Sequence, residues 1–468
     1  MNSSQGVSGL GLILLLAFES SRYGAICLFV LMSLSFGCSS QATHIINARS
    51  SFYAGDLSVA NQKLEKAIER GDEKDDFILA DQAIVDLVKG DAVAAEQKLR
   101  RVRDTFDHLE QADVGESILS MVADDRRRAY AGEDYEKVLV RNFLALSNLM
   151  HDGSDAIPYC LQANQKQHQI LSRVAAAPNE NGTDSGPNMF SRVAFGAYLF
   201  GTLKEQTHRS YDDAARAYAT VAAWNPSYSA IHSDVQRAQY GAHSQPGNGV
   251  VYVIGLVGPG PVKQETIAPV TSDALMIASQ ILGSVGDRQF PKFSAPVKIP
   301  EIVVPQSNIN KLQVTSGSQS LALTETITDV GQLAVTHNEL ARNKTIARAV
   351  VRRLVKKGAI YEAKDELVEN SSWAGIAFDA AEFVWEASEQ ADTRCWGLLP
   401  GTIQVARIEL PQGIHELALA PARDNIIVGD RETTSVRVEN GRNTYVLAYF
   451  PDRQLVGEIV VSANGQVE

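Results

Sequence analysis

The 468-residue sequence predicts an α+β chain of several domains: an N-terminal array of helical repeats, a mixed middle segment with long helices, and a small C-terminal β-sandwich-like module. Three observations carry that reading. Helical periodicity with Gly-Asp punctuation runs from Gln41 to about Ala242. Short apolar runs broken by Gly and Pro take over near Asn248, and strand-like runs crowd the stretch after Ile403. A prior of roughly 150 residues per domain agrees with about three modules. Hydrophobic residues at 45% and charged residues at 21% exclude a mostly disordered chain. With 43 basic against 55 acidic residues the net charge is −12, so the mean field repels a phosphate backbone and general nucleic-acid binding is excluded.

In chain order, two apolar stretches come first, Leu10 to Phe18 and Ala25 to Gly37, separated by Glu19, Ser20, Ser21 and Arg22. Neither reaches the ~18 to 20 residues that span a bilayer core. A cation, an apolar centre and a small residue before Cys38 form a signal-peptide layout over 1–37, and the stretch ahead of Arg22 is long for its charged leader. The run Leu34-Ser35-Phe36-Gly37-Cys38 resembles the lipobox of bacterial lipoproteins, with leucine one place further from the cysteine than usual. The resemblance implies lipidation at Cys38, and several acyl chains on one residue anchor a protein stably. A plain signal peptide or an uncleaved anchor is the alternative. With Cys27 and Cys38 set aside, Cys160 and Cys395 remain as a pair whose contexts do not argue for a disulfide.

Between 38 and 242 the helical stripe recurs. Phe52 to Leu57 leads into Ala60, Leu64 and Ala67; Val88 to Ala92 leads into Ala95, Leu99 and Val102. Ala60 to Ala95 is 35 residues, one more than the tetratricopeptide repeat, and the +4, +3 spacing is the stripe by which its second helix packs on the first. Ala156, Cys160 and Ala163 repeat it after His151-Asp152, with no glycine aligned to Gly55; Tyr211, Ala214, Tyr218, Val221 and Pro226 form a fourth copy. Pro178 to Pro187 reads as a loop.

The segment 243–391 mixes strand and helix. Val250 to Val257 is an apolar strand, Gly258-Pro259-Gly260-Pro261 a turn, and Val262 to Ile267 the partner strand. No Gly-Lys-Ser/Thr follows those glycines, which excludes a phosphate loop. Phe290 to Pro305 carries short edge-type strands. Gln332 to Leu367 is a helix whose Arg348, Arg352, Arg353, Lys356 and Lys357 form a basic surface beside an apolar face. Such a helix lies on anionic lipid, on an acidic surface, or packs with its basic face solvated. Trp373, Ile376, Ala377, Ala380 and Val384 continue as a second apolar helix. In 392–468, five strands (Ile403–Leu410, Ile414–Ala420, Val436–Val438, Thr444–Phe450, Leu455–Ser462) with turns at Pro411-Gln412-Gly413 and Asn440-Gly441 form the β module.

The sequence has no HExxH, GxSxG or SxxK set and no metal-spaced His/Cys/Asp cluster, so it carries no expectation of a catalytic residue, cofactor or metal. Asp379 and Glu382 read as a solvated helix face. Cys395 next to Arg394 is the type of position where a cation lowers a thiol pKa, but its context before a strand reads as a buried structural thiol.

Four groups of residues carry a wider likeness: Tyr135 to Leu139 with Leu144 to Asn148; Pro261 to Glu265; Ala347 to Arg352; and Ala391 to Trp396 with Leu399-Pro400, Ile403 to Arg407 and Leu410-Pro411. In these the chain resembles an uncharacterised family of bacterial lipoproteins with tetratricopeptide-like N-terminal halves. The resemblance implies architecture and address: a membrane-anchored protein facing the periplasm, with Ser39 after the cysteine favouring the outer membrane. Members resemble neighbours of lipoproteins that activate penicillin-binding proteins, which implies a setting in cell-wall assembly. The expected function is a non-catalytic interaction scaffold for an envelope protein or peptide, because stacked helical pairs leave an extended concave surface. Register from Ala156 places Arg141 and Asn148, with Asn142 adjacent, toward that concave side, where they would hold an extended peptide. The alternative is an envelope enzyme or sugar-binding module in the C-terminal half, around Cys395 and Trp396.

Overall fold

The computed structural model describes residues 36–70, 76–113, 129–176, 192–283, 296–368 and 390–467, and it is a mixed α+β chain. Residues 1–35, Pro178 to Pro187, Asp379, Glu382 and the helix expected at Trp373 to Val384 lie outside the described residues.

The first half is a run of helices: α1 (Phe36–Tyr53), α2 (Leu57–Arg70), α3 (Phe77–Val88), α4 (Ala92–Asp113), α5 (Asp134–His151), α6 (Ala156–Ala176), α7 (Phe195–Glu205), α8 (Tyr211–Trp224) and α9 (Ile231–Gln239). Each odd-numbered helix from α1 to α7 packs against the even-numbered one that follows. The expected stripes are the reason. Ala60, Leu64 and Ala67, Ala95, Leu99 and Val102, Ala156, Cys160 and Ala163, and Ala214, Tyr218 and Val221 are all buried, and small residues in them let the helix axes approach.

The connecting turns need a left-handed residue after the first helix. Gly55 (φ 82°), Gly90 (φ 84°) and Gly153 (φ 72°) supply it. The third turn therefore has its glycine after all, two places beyond where the stripe alone aligns it, because the turn and not the stripe dictates its position. Before α8 the same role falls to His208 (φ 56°), whose ring is tied to the carbonyl of Gly441 at 2.7 Å.

The remaining elements are β1 (Asn248–Pro259), β2 (Val262–Ala268), α10 (Ser272–Gly283), β3 (Val297–Val303), β4 (Lys311–Ser316), β5 (Gln319–Leu323), β6 (Glu325–Asp329), α11 (Val330–Val368), β7 (Pro400–Pro411), β8 (Gly413–Arg423), β9 (Ile426–Ile427), β10 (Glu432–Val438), β11 (Asn443–Phe450) and β12 (Val456–Val461). A five-stranded sheet has the order β12-β11-β1-β7-β6, and a second has the order β10-β8-β4-β5 with β9 on β8. The central β1 runs parallel to β11 (Val250 opposite Asn443) and antiparallel to β7 (Val250 opposite Glu409).

Ten consecutive residues of β1 are buried, as its unbroken apolar run requires of a strand covered on both faces. Tyr252, Ile254 and Leu256, with Tyr445, Leu447 and Tyr449, join the helical core. Val251, Val253 and Val257, with Val446, Ala448 and Phe450, meet Leu312, Leu417 and Val436 of the second sheet. The five-stranded sheet is thus a middle layer, with helices on one face and the second sheet on the other.

Two expectations are corrected by this topology. Val262 to Ile267 does not pair with β1: β2 pairs with β3, Val262 opposite Val303. The Gly258–Pro261 stretch leads the chain out of the sheet. Gly260 lies so close to the Leu399 carbonyl that a Cβ would sit 2.0 Å from its oxygen, so the turn is held against the entry to β7. Second, strands from 392–468 do not form a self-contained module. β1 and β4 to β6, all before residue 391, are interleaved with them, and the turns at 411–413 and 440–441 carry the chain from one sheet to the other. A third small core joins β2 and β3 to α10 and α11 through Ala268, Ile299, Ala274, Ala278, Ile346 and Val350.

Candidate functional site

The helices fall into two rows with different roles. Nearly every residue of α3, α5 and α7 is buried, because these helices and α1 face the sheet; α2, α4, α6 and α8 keep an exposed side. The inner row is covered by the chain itself. Segment Ala391–Leu399 has neither helix nor strand, so its backbone must find side-chain partners, and the inner row provides them. Arg49 on α1 donates to the Cys395 carbonyl at 2.9 Å and Tyr53 to that of Gly397 at 3.2 Å. Glu136 on α5 accepts the Trp396 N–H at 2.9 Å, and Asp81 on α3 accepts that of Leu398 at 2.9 Å. Tyr449 on β11 donates to the Leu399 carbonyl at 3.0 Å. The Trp396 ring packs edge-on against Phe143. A Cβ at Gly397 would lie 1.8 Å from the Arg49 guanidinium carbon, so any larger residue there has to displace the Arg49 side chain from its bonds to the strap.

At one end of this strap lies a buried ionic cluster. Glu136 accepts from the Tyr130 hydroxyl at 2.7 Å and from the Glu133 N–H at 3.0 Å. Glu133 pairs with Lys263 and, at 2.9 Å, with His337. The ammonium of Lys263 and the guanidinium of Arg394 both stand over the Tyr130 ring. Burial pushes the Glu136 pKa up; for Glu133 burial is outweighed by Lys263 and His337, which hold it well below the usual carboxylate range. The histidine is held above its ordinary value against burial by Glu133. Three stretches far apart in the sequence, around Glu136, Lys263 and Ala391 to Trp396, converge here. Ala347, Ala349, Val350 and Val351 of α11 pack in the separate small core.

The outer row carries a cleft of ≈ 580 Å³ between α4 and α6. Arg103, Asp107, Glu110 and Gln111 line it from α4; Gln162, Gln165, Lys166, Gln169, Ile170 and Arg173 from α6; Arg141 of α5 reaches its floor. Arg141 pairs with Asp107, and Lys166 bridges Asp107 at 2.8 Å and Glu110 at 2.9 Å. Arg173 pairs with Glu110 at 2.6 Å. Burial opposes ionisation of Glu110, but Lys166, Lys137 and Arg173 prevail and bring its pKa down to about 2. Asp107 is lowered likewise by Lys166 and Arg141. The floor is a fixed ion lattice, and the wall is a row of carboxamides.

The three expected partner-binding residues separate. Arg141 lines the outer cleft, not an open concave face. Asn142 is fully buried at the contact with α7, where a Cβ on Gly196 would lie 2.2 Å from its Oδ1. Asn148 is buried and structural: it donates to Glu96 at 3.1 Å and accepts the Asp155 N–H at 2.8 Å, fixing the α5–α6 turn. The register of these residues says which way they point, but not that the sheet fills the inner side. Cys38 stands in the first turn of α1, and its side chain is outside those described.

In the expected basic surface, Arg352 is buried and Arg353 donates to the Pro296 carbonyl at 2.9 Å. Arg348 is half-buried, and the side chains of Lys356 and Lys357 lie outside those described. Arg352 and Arg353 therefore turn toward the chain itself. Cys160 and Cys395 are both free and buried. Burial pushes the Cys395 thiol up despite Arg49, while Arg394 is engaged with Asp392 at 2.8 Å; the thiol-lowering cation expected from the sequence points elsewhere. Among the described residues no His/Cys/Asp/Glu group could hold a metal ion, and no helix is long and apolar enough to cross a membrane.

No family model, curated protein or solved structure matches this chain. The cleft and the strap must be read from their own chemistry.

Proposed function

We propose that this chain is a non-catalytic interaction scaffold of the cell envelope, lipidated at Cys38, facing the periplasm and seated on the outer membrane. Its paired helices are a tetratricopeptide-like array and its two facing sheets a sandwich-like body. The observation that supports a scaffold with an outward-facing site is the occupancy of the inner row. Glu136, Asp81, Arg49 and Tyr53 already hold an extended peptide by its backbone, and that peptide is the chain's own segment 391–399. The polar cleft of the outer row is then the face offered to an envelope protein or peptide, with cell-wall assembly as the setting that the family resemblance suggests. Trp396 and Cys395, each about 1% exposed, are poorly placed to meet a sugar or substrate.

Two experiments test this. Mass spectrometry of the mature N-terminus reads out a lipidated Cys38; an unmodified N-terminus elsewhere removes the anchor. A photo-crosslinking residue at Gln165 in the cleft, introduced into the full chain in intact envelopes, is expected to capture a protein that the same residue at exposed Arg216 on α8 does not. Identical products at both sites would overturn the reading.

A further inference from the structure

In a chain of net charge −12, the cleft between α4 and α6 is lined by four cations, Arg103, Arg141, Lys166 and Arg173, against two carboxylates, Asp107 and Glu110. With Asp104 and Asp134, which pair with two of these cations, the cleft is close to neutral in a chain that is acidic on the whole. Arg141 and Lys166 are spent on the floor, where their side chains are only 5% and 10% exposed and where Asp107 and Glu110 stay ionised. The rim cations are differently placed. Arg103, its side chain 19% exposed, donates to the Gln162 carboxamide at 3.2 Å and pairs with Asp104, whose side chain is 66% exposed, and an ion pair to so exposed a carboxylate exchanges readily for another. Arg173 is half exposed and shared between Glu110 and Asp134.

Between these rim cations, Gln162, Gln165 and Gln169 follow one another at i, i+3 and i+7 along one face of α6. The Gln162 oxygen accepts from Arg103 at 3.2 Å, while Gln165 and Gln169 are exposed and each offers a donor and an acceptor, the same complement as a peptide group. Ile170 is the one apolar side chain in the lining, which disfavours an apolar anchor.

We infer that this cleft binds an acidic peptide in extended form, its backbone on the carboxamides of α6 and its carboxylates on Arg103 and Arg173. The inference rests on the reading of the outer row as the partner face and adds the chemistry of the partner. In an extended chain, side chains on one side recur about every 7 Å, so carboxylates can reach the rim while the intervening residues avoid the floor. A dense polyanion such as polyphosphate would set successive charges against Asp107 and Glu110.

The test uses the full chain in detergent and fluorescein-labelled octaglutamate, read by anisotropy, with octaglutamine as the uncharged peptide. Octaglutamate is expected to bind at low salt, more tightly than octaglutamine, and to weaken as salt screens the rim. Arg103→Ala with Arg173→Ala should weaken it roughly ten-fold. Gln165→Ala with Gln169→Ala, both exposed positions, should weaken both peptides. Arg216→Ala with Arg431→Ala, exposed cations elsewhere, should change nothing.

No octaglutamate binding at low salt, equal loss in the Arg216/Arg431 variant, or tighter binding of polyphosphate with the same variant dependence would each overturn the acidic-peptide assignment. If it fails while crosslinking at Gln165 still captures a distinct protein, only the ligand class falls; if both fail, the outer-row reading falls with it.

Discussion

The outer helices bury one stripe of small and apolar residues and the inner helices bury nearly every residue, and the two rows end in opposite relations to the rest of the chain. The inner helices α3 and α5 bury all but a few of their residues and use their remaining polar groups, Asp81 and Glu136, on the backbone of segment 391–399. The outer helices α4 and α6 bury one stripe and turn Arg103, Gln165, Gln169 and Arg173 outward. A helical array can therefore spend its concave face on its own chain, and a face available to a partner then has to come from the helices behind.

The largest effect that can break this comparison is at the strap. Trp396→Ala empties a site that is about 1% exposed and should destabilise the protein by ~3–5 kcal/mol in urea unfolding. A loss below about 1 kcal/mol would mean that the strap is not part of the core.

This is also the feature least legible in the sequence. Ala391 to Leu399 has no period of 2 or 3.6, and its partners Arg49, Asp81, Glu136 and Glu265 all lie more than a hundred residues away. The stripes were legible because Ala60, Leu64 and Ala67 report a local contact. The strand at Val250 to Val257 was legible as a strand, but its neighbours were not: an apolar run says that both faces are covered, without saying that Val250 lies opposite Asn443. Arg141 lines the outer cleft and not the concave side to which its register assigns it, because the side of α5 that looks free in an isolated hairpin is where Trp396 sits.

Next in size is Gly397→Ala, which places a methyl where Arg49 lies and should cost ~1–3 kcal/mol by overpacking. Arg49→Ala alone removes the bond to the Cys395 carbonyl and leaves Asp81 without its cation. The double variant should cost less than the sum of the two, since the second change makes room for the first. Strict additivity in a double-mutant cycle would contradict the contact.

A smaller effect is expected with pH at the base of the strap. His337 has a raised pKa in the folded protein, so its contribution is full below the unfolded histidine value of about 6.5 and is lost as pH rises through the folded value. Glu133, lowered well below the carboxylate range, adds stability above about pH 4.5 and gives it up on acidification. Unfolding free energy should thus fall through His337 as pH rises above about 6.5, and His337→Gln should remove that slope while leaving the acid limb in place. An unchanged alkaline slope in the variant would assign it to another group.

The smallest effect sharpens the other side of the comparison. Gln165→Ala with Gln169→Ala should leave stability within about 0.5 kcal/mol, because both side chains are exposed on the outer row. A larger loss in thermal or urea unfolding would mean that the cleft wall supports the fold.

The most direct measurement of the central claim, that the inner row is occupied by the chain's own segment, is native-state hydrogen exchange at the Trp396 and Leu398 amides of the full chain. Both donate to buried carboxylates, at 2.9 Å each, so they should exchange only with global unfolding, at the same free energy as core amides of α5 and β1. Exchange of these two amides at the rate of an exposed loop, while α5 and β1 stay protected, would contradict the account.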